Sequence, residues 1–389
     1  MQPIKPTRVL RWSSRSARGL LTATFMWAVV GQGTALGEAI RIYWTDSNLR
    51  KIQRADVDGT NKNVVTLVDT PSPGGPQGIA LDLRAGHMHM YWTNSSQKTI
   101  RRANLDGAGE VIDVLTGLEA CRAIALDLVN EYVYWTADGA GKIQRAKLDG
   151  SGPIEDLVVG SDKIQDSVGL ALDVARGHMY WTDSNLRKIQ RAGLEIPPGE
   201  TPATRTDIEE LVTTTSPGGP QGIALDFGAE HMYWTNSSQK TIRRANLDGT
   251  GEVDFRTGLE AARAIVLDFV NGYVYWTADG AGKIQRTKLD GSGPIEDLVV
   301  GFDKVQDSVG LALYIPAGPS TAMDFDDDGD VDLTDYGQFL ACYNGPGNTY
   351  PALSPCPEAD TDNDGDVDLS DYGVFLGCYN GPNNPPACE

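Results

Sequence analysis

The sequence predicts an all-β six-bladed propeller followed by a small C-terminal α domain built on two calcium loops. Three observations lead there. The tripeptide Tyr-Trp-Thr recurs six times, starting at Tyr43, Tyr91, Tyr134, Tyr180, Tyr233 and Tyr275, at intervals of 42 to 53 residues. Each interval carries four short segments parted by turn residues, the content of a four-stranded blade. The chain then ends with two matching acidic stretches, Asp324–Asp335 and Asp360–Asp371, which begin 36 residues apart.

Taken in order, residues 1–37 read as a secretory signal. Lys5, Arg8, Arg11, Arg15 and Arg18 precede a mostly apolar run, Gly19–Gly33, and Ala35 and Gly37 offer a cleavage site. That run is shorter than the roughly 20 residues needed to span a bilayer. The expectation is a secreted or cell-surface protein with no membrane insertion after cleavage. A formal net charge of -20 argues against nucleic acid or an anionic membrane as partner.

Residues 38–316 form the expected propeller. Its first recurring segment is Gly-Ile-Ala-Leu-Asp-like: Gly78–Asp82, Ala123–Asp127, Gly169–Asp173, Gly222–Asp226, Ala264–Asp268 and Gly310–Tyr314. With period two, Ile79 and Leu81 face one side and Gly78, Ala80 and Asp82 the other, which suits an inner strand crowded near an axis. Tyr-Trp-Thr is the second strand, whose aromatic rings fill the wedge between sheets. The third reads Lys-Ile-Gln-Arg-Ala or Thr-Ile-Arg-Arg-Ala and runs into Leu-Asp-Gly, a turn signal. A looser apolar run, such as Val64–Val68, makes the fourth. The first Tyr-Trp-Thr lacks an inner strand before it, and Val309–Tyr314 lacks a Tyr-Trp-Thr after it. These orphans are expected to pair and latch the ring.

Six such copies, with Tyr-Trp-Thr-Asp intact at Tyr43–Asp46 and Tyr180–Asp183, resemble the class B repeats of the low-density lipoprotein receptor family. That resemblance implies a six-bladed propeller over roughly residues 39–315. The fourth position departs at Asn94, Ala137, Asn236 and Ala278, running Asp, Asn, Ala twice. The ring therefore reads as two copies of a three-blade unit, with Asp46 and Asp183 across from each other.

The segments entering the inner strands hold Gln77, Arg122, Asp166, Gln221, Arg263 and Asp307, related in pairs by that duplication. They are expected to converge at one end of the axis, either gripping a polar ligand or pairing blade to blade. His87, His89, His178 and His231 fall in the turns before the Tyr-Trp-Thr strands, at the other end. No metalloprotease, nucleophile-elbow or phosphate-loop motif is present. A non-catalytic interaction protein with a protein or glycan ligand is the favoured reading. Its competitor is a carbohydrate-active component, glycoside hydrolase or lyase, of a polysaccharide-degrading complex.

After a linker at 317–322, residues 323–389 carry the tail. Residues 318–389 hold 13 Asp and 2 Glu and no Lys or Arg. Both acidic stretches place Asp at loop positions 1, 3, 5, 9 and 12 and Gly at 6, the spacing of a calcium loop. The expected ligands are Asp324, Asp326, Asp328, the Asp330 carbonyl, Asp332 and Asp335, then Asp360, Asp362, Asp364, the Asp366 carbonyl, Asp368 and Asp371, for two Ca2+ ions. A short helical segment should follow each loop, at Tyr336–Tyr343 and Tyr372–Tyr379. Asp rather than Glu at position 12, and loop-plus-helix units in tandem, resemble a dockerin. The resemblance implies a cohesin-like partner, met through Leu333, Thr334, Leu369 and Ser370. Cys342, Cys356, Cys378 and Cys388 suit disulfides of an exported protein, Cys342–Cys356 and Cys378–Cys388 being preferred with two other pairings open. Cys121, alone and matched by Ala262 in the duplicate, reads as a small core residue.

Overall fold

The computed structural model describes residues 39–84, 87–215 and 217–315, a helix over Leu333–Cys342, and the single positions Ala359 and Val367. The first of these sets forms six four-stranded antiparallel sheets. In blade two the strands, from inside outward, are Ile79–Asp82, His89–Asn94, Thr99–Asn104 and Ile112–Leu115. Blades three to six repeat the pattern, with inner strands Cys121–Asp127, Leu170–Asp173, Ile223–Asp226 and Ala262–Asp268. The first blade is assembled from both ends of the ring. Leu311–Tyr314 pairs antiparallel with Arg41–Asp46, placing Leu311 opposite Trp44 and Tyr314 opposite Arg41. The two orphan segments therefore meet as their sequences require, and each inner strand contacts the next around a closed circle.

Six wedge-shaped cores lie between blades. Each joins the Tyr of one Tyr-Trp-Thr to the Trp of the next: Tyr43 with Trp92, Tyr91 with Trp135, Tyr134 with Trp181, and on around to Tyr275 with Trp44. Adjacent residues of a strand point to opposite faces, so one dipeptide serves two cores. All twelve of these rings are buried. The inner strand obeys the same alternation. Ile79 and Leu81 pack with Tyr43 and Trp92, and Ala80 packs with Tyr91 and Trp135.

The Thr of the tripeptide ties the blades together. In blade three its hydroxyl accepts the Ala123 N–H at 3.0 Å and donates to the Ser167 carbonyl of blade four at 3.2 Å. In blade six Thr277 accepts from Ala264 at 3.0 Å and donates to Ser308 at 3.1 Å. Thr45, Thr93, Thr182 and Thr235 make the same bridge. A hydroxyl is needed because only it can accept and donate at one atom. Close approach is also required: a Cβ at Gly78 would sit 2.6 Å from the Arg122 carbonyl, and one at Gly222 would sit 2.5 Å from that of Arg263. The longest interval, in blade four, holds an inserted loop. Its Pro202 carbonyl accepts the Val159 N–H at 3.1 Å, and Arg205 donates to the Leu157 carbonyl at 2.9 Å. The loop thus straps blade four to the outer strand of blade three.

Candidate ligand-binding mouth at the ring axis

Ile79, Ile124, Leu170, Ile223, Ile265 and Leu311, one from each blade, line an axial cavity of about 80 Å³. The residues leading into these strands form its mouth. Gln77, Arg122, Gln221 and Arg263 each stand one position before the recurring Gly or Ala; the two Gln precede their strands, whereas the two Arg are the second residues of theirs. Asp166 and Asp307 do not share that register. Val168 and Val309 hold the equivalent places in blades four and one, and the two Asp lie two residues earlier, reaching sideways to the arginines.

The result is two identical clusters. Arg122 is paired with Asp166 and lies 3.3 Å from Asp138; Arg263 is paired with Asp307 and lies 3.3 Å from Asp279. Ser184 and Ser47 donate their hydroxyls to the second oxygens of Asp166 and Asp307. The Arg122–Asp166 and Arg263–Asp307 pairs thus join one blade to the next, which is the pairing the sequence left open against ligand grip. Gln77 and Gln221 differ. Their N–H groups donate to the Thr93 and Thr235 carbonyls at 2.8 Å, yet their half-buried side-chain amides form no hydrogen bond among the described residues. They project from blades two and five, on opposite sides of the ring.

The Asp, Asn, Ala alternation has a local cause. Asp46 accepts the Leu49 N–H at 2.8 Å with one oxygen, and the Gln306 and Asp307 N–H groups at 2.6 and 3.2 Å with the other. Asp183 does the same with Leu186, Gln165 and Asp166. In blades two and five Asn94 and Asn236 keep the first bond, to Gln97 and Gln239 at 3.0 Å, and their amide nitrogens are buried without a partner. In blades three and six Ala fills the slot and the carboxylate moves one residue on. Asp138 and Asp279 accept the Ser167 and Ser308 N–H groups, each at 3.2 Å.

Those two displaced carboxyls are the functional groups that residue reading missed. The signal was present, since Tyr-Trp-Thr-Ala-Asp-Gly-Ala-Gly occurs in both halves, but it required knowing which way the following turn points. A short 3-10 turn closed by a left-handed Gly141 or Gly282 carries each of them back to the mouth. Burial pushes both Asp138 and Asp279 up to about 7, against the pull of Arg122 and Arg263. Burial also opposes the charge on Asp307, but the Ser47 hydroxyl, Arg263 and then Arg122 from the other half outweigh it and hold its pKa low.

The histidines lie at the other end of the blades. His89, His178 and His231 are the first residues of their strands rather than turn residues, because they pair in register with Asp82, Asp173 and Asp226. His87 stays in its turn. Burial, and then Arg102 or Arg244, holds His89 and His231 below the ordinary imidazole value. Cys121 is buried and free, and burial pushes its thiol up to about 12, as suits an inert core residue.

Of the expected calcium ligands only Asp335 is described; it is buried in the first turn of the helix Leu333–Cys342. That helix starts three residues before the expected Tyr336, and a carboxylate in its first turn complements the helix dipole. Leu333 begins the helix and Thr334 is exposed on it. The other eleven ligands, Leu369, Ser370, the second expected helix, and the cysteines other than Cys121 and Cys342 lie outside the described residues, as do residues 1–38. Cys342 is disulfide-bonded, with a partner outside the described residues. No helix among the described residues is long and apolar enough to cross a membrane, and no group of three metal-binding side chains is found there.

Fold and mouth together define a closed six-bladed β-propeller with a polar axial rim. The profile of the low-density lipoprotein receptor repeat class B matches two stretches of it, residues 41–83 and 230–269. Among solved structures, a chain of a nidogen/laminin complex is similar at a TM-score of 0.60 and 20% identity, over 72% of this chain and 99% of that one. A virginiamycin B lyase from Staphylococcus aureus, solved with quinupristin, reaches a TM-score of 0.48 at 16% identity, over 68% and 83%. The first of these likenesses shows the fold. A comparison with curated proteins finds no match.

Proposed function

We propose that the chain is an exported, non-catalytic interaction protein. In this reading the propeller mouth binds a protein ligand, and the tail folds around two calcium ions and docks to a cohesin-like domain of a cell-surface or extracellular assembly. The observation that carries the mouth reading is the pair of uncommitted amides, Gln77 and Gln221, beside an apolar hole and between two Arg–Asp clusters. Backbone and side-chain amides of a peptide complement such groups, and an aliphatic side chain complements the hole. A propeller of this fold solved in a nidogen/laminin complex agrees with a protein ligand.

A peptide and glycan array probed with the intact chain and with the double variant Arg122→Gln/Arg263→Gln tests the mouth. Peptide signals should vanish in the variant while its circular dichroism is kept. Signals confined to glycans, with turnover of a bound saccharide, would favour the carbohydrate-active reading instead. For the tail, the clustered carboxylates repel one another without a cation, so chelation should unfold the module. Calorimetric titration should show two bound Ca2+ per chain. Protease resistance unchanged by chelator would rule the calcium reading out.

A further inference from the structure

A second cavity, of about 150 Å³, opens between blades two and three at the end of the ring away from the mouth. Its charged walls are Arg84, His87, Arg102, Lys147, Glu131 and Asp149. Arg84 is already matched: it clamps buried Asp82 with Nε and Nη2, both at 2.9 Å, and lies 3.7 Å from Glu131. His87 stands 3.4 Å from the same Asp82. Asp149 is exposed and accepts the Ser151 N–H at 2.8 Å.

Arg102 is the group left over. The ring supplies its own controls, because the same arginine recurs on every third strand. Arg145, Arg191 and Arg286 are paired with Glu155, Glu209 and Glu296, which stand directly opposite them on the outer strand. Opposite Arg102 stands Ile112, as Val65 and Val253 stand opposite Arg54 and Arg244, so three of the six arginines lack that carboxylate. Arg102 donates to the Tyr91 hydroxyl at 3.3 Å, and its Nε is buried without a partner, as is that of Arg191. With an apolar residue opposite it, Arg102 keeps donor capacity that an anion in the cavity can satisfy. Lys147 flanks it, its ammonium 3.9 Å above the Tyr132 ring and donating to the Asn130 carbonyl at 3.3 Å, with donor capacity left over.

A second observation is independent of that deficit. Blades two and five are near copies, and Met88 and Glu230 mark the same turn position. Both are left-handed, φ 45° and 54°, and both carbonyls accept a Leu N–H, at 3.0 and 2.9 Å. Against that register, blade two has two more residues between Asp82 and His89 than blade five has between Asp226 and His231, and His87 lines the cavity. Arg84 replaces Gly228, and Glu131 replaces Gly272. The first half of the ring has thus built a wall that the second half lacks.

We propose that this cavity binds a tetrahedral oxyanion, phosphate or sulfate, held by Arg102 and Lys147 and bordered by Arg84 and His87. Donors approach from two blades and a turn, which suits four oxygens in a tetrahedron better than a planar carboxylate.

The test is a titration of the intact chain with inorganic phosphate, inorganic sulfate and acetate, read from the imidazole NMR signals of His87. The informative variant is Ile112→Glu. Ile112 is 44% exposed, so a glutamate is tolerated there, and it recreates the internal partner that three other blades possess. A saturable shift with phosphate or sulfate, weakened by roughly tenfold or more in the variant, is expected. No saturable shift, an unchanged affinity in Ile112→Glu, or acetate binding as tightly as the tetrahedral ions would overturn the proposal.

Discussion

The two half-rings are close copies at the mouth and unlike each other at the opposite end. At the mouth Arg122, Asp138, Asp166 and Ser184 are matched atom for atom by Arg263, Asp279, Asp307 and Ser47. At the far end Arg84, His87 and Glu131 have no such counterparts. The difference teaches where the fold constrains sequence. Mouth carboxylates are also joints between blades, so changing one breaks a buried bond between neighbours. Far-end turns meet their neighbours mainly through exposed side chains such as Glu131 and Glu230, and extra residues there are accommodated by solvent.

The largest effect should separate the closing seam from an interior one. Trp44 donates to the Lys304 carbonyl at 2.9 Å, and Trp181 donates to that of Lys163 at 3.3 Å. Each Trp→Ala substitution should cost about 3–5 kcal/mol by chemical denaturation. Equal losses mean that the latched blade is as well knit as the continuous one. A much smaller loss at Trp44 would mean that the seam opens before the ring unfolds.

Next comes the pH dependence of the mouth. Asp138 and Asp279 are ordinary acids when unfolded, near 3.8, and titrate at about 7 when folded. The folded state therefore holds their protons more tightly, and stability falls as pH rises through that window, then levels off above it. Asp138→Asn with Asp279→Asn should flatten the decline in Tm between acid and mildly alkaline buffer. The single variants should contribute equal shares, and an unchanged slope would show that the carboxyls are not buried as described.

Smaller losses are expected from the threonine bridges. Thr136→Val and Thr277→Val keep the shape and remove a buried donor and acceptor, at about 1–3 kcal/mol each. Unequal costs would break the equivalence of the halves. Smallest is Cys121→Ala, which installs the residue already present at Ala262; a loss of about 1 kcal/mol is expected from the volume removed.

Much of the fold was legible because its signals are local. Each strand type has its own short word, and each word carries the residues its place in the ring requires: small ones at the axis, rings in the wedges, Asp-Gly in the turns. Ring closure could be read because the missing first strand and the surplus last one are complementary in sequence. The mouth was read less well. Gln77, Arg122, Gln221 and Arg263 were placed by their position before the recurring Gly or Ala, although both Arg already belong to their inner strands. Asp166 and Asp307 belong to the same rim but reach it from two residues further back, with Val168 and Val309 in the register position. Asp138 and Asp279 were overlooked because a one-residue displacement within a turn changes which way a side chain points, and spacing alone does not record direction. Ile112 carried no signal at all, since its importance lies in a glutamate that other blades have and it lacks.

The central claim, that the mouth rather than the far end meets the protein ligand, is tested most directly by one peptide array run with three proteins. These are the intact chain, Arg122→Gln/Arg263→Gln, and Ile112→Glu, each verified as folded. Peptide binding lost in the double variant and retained in Ile112→Glu is the predicted result. Binding that survives loss of both mouth arginines, or that disappears with Ile112→Glu, would contradict the account.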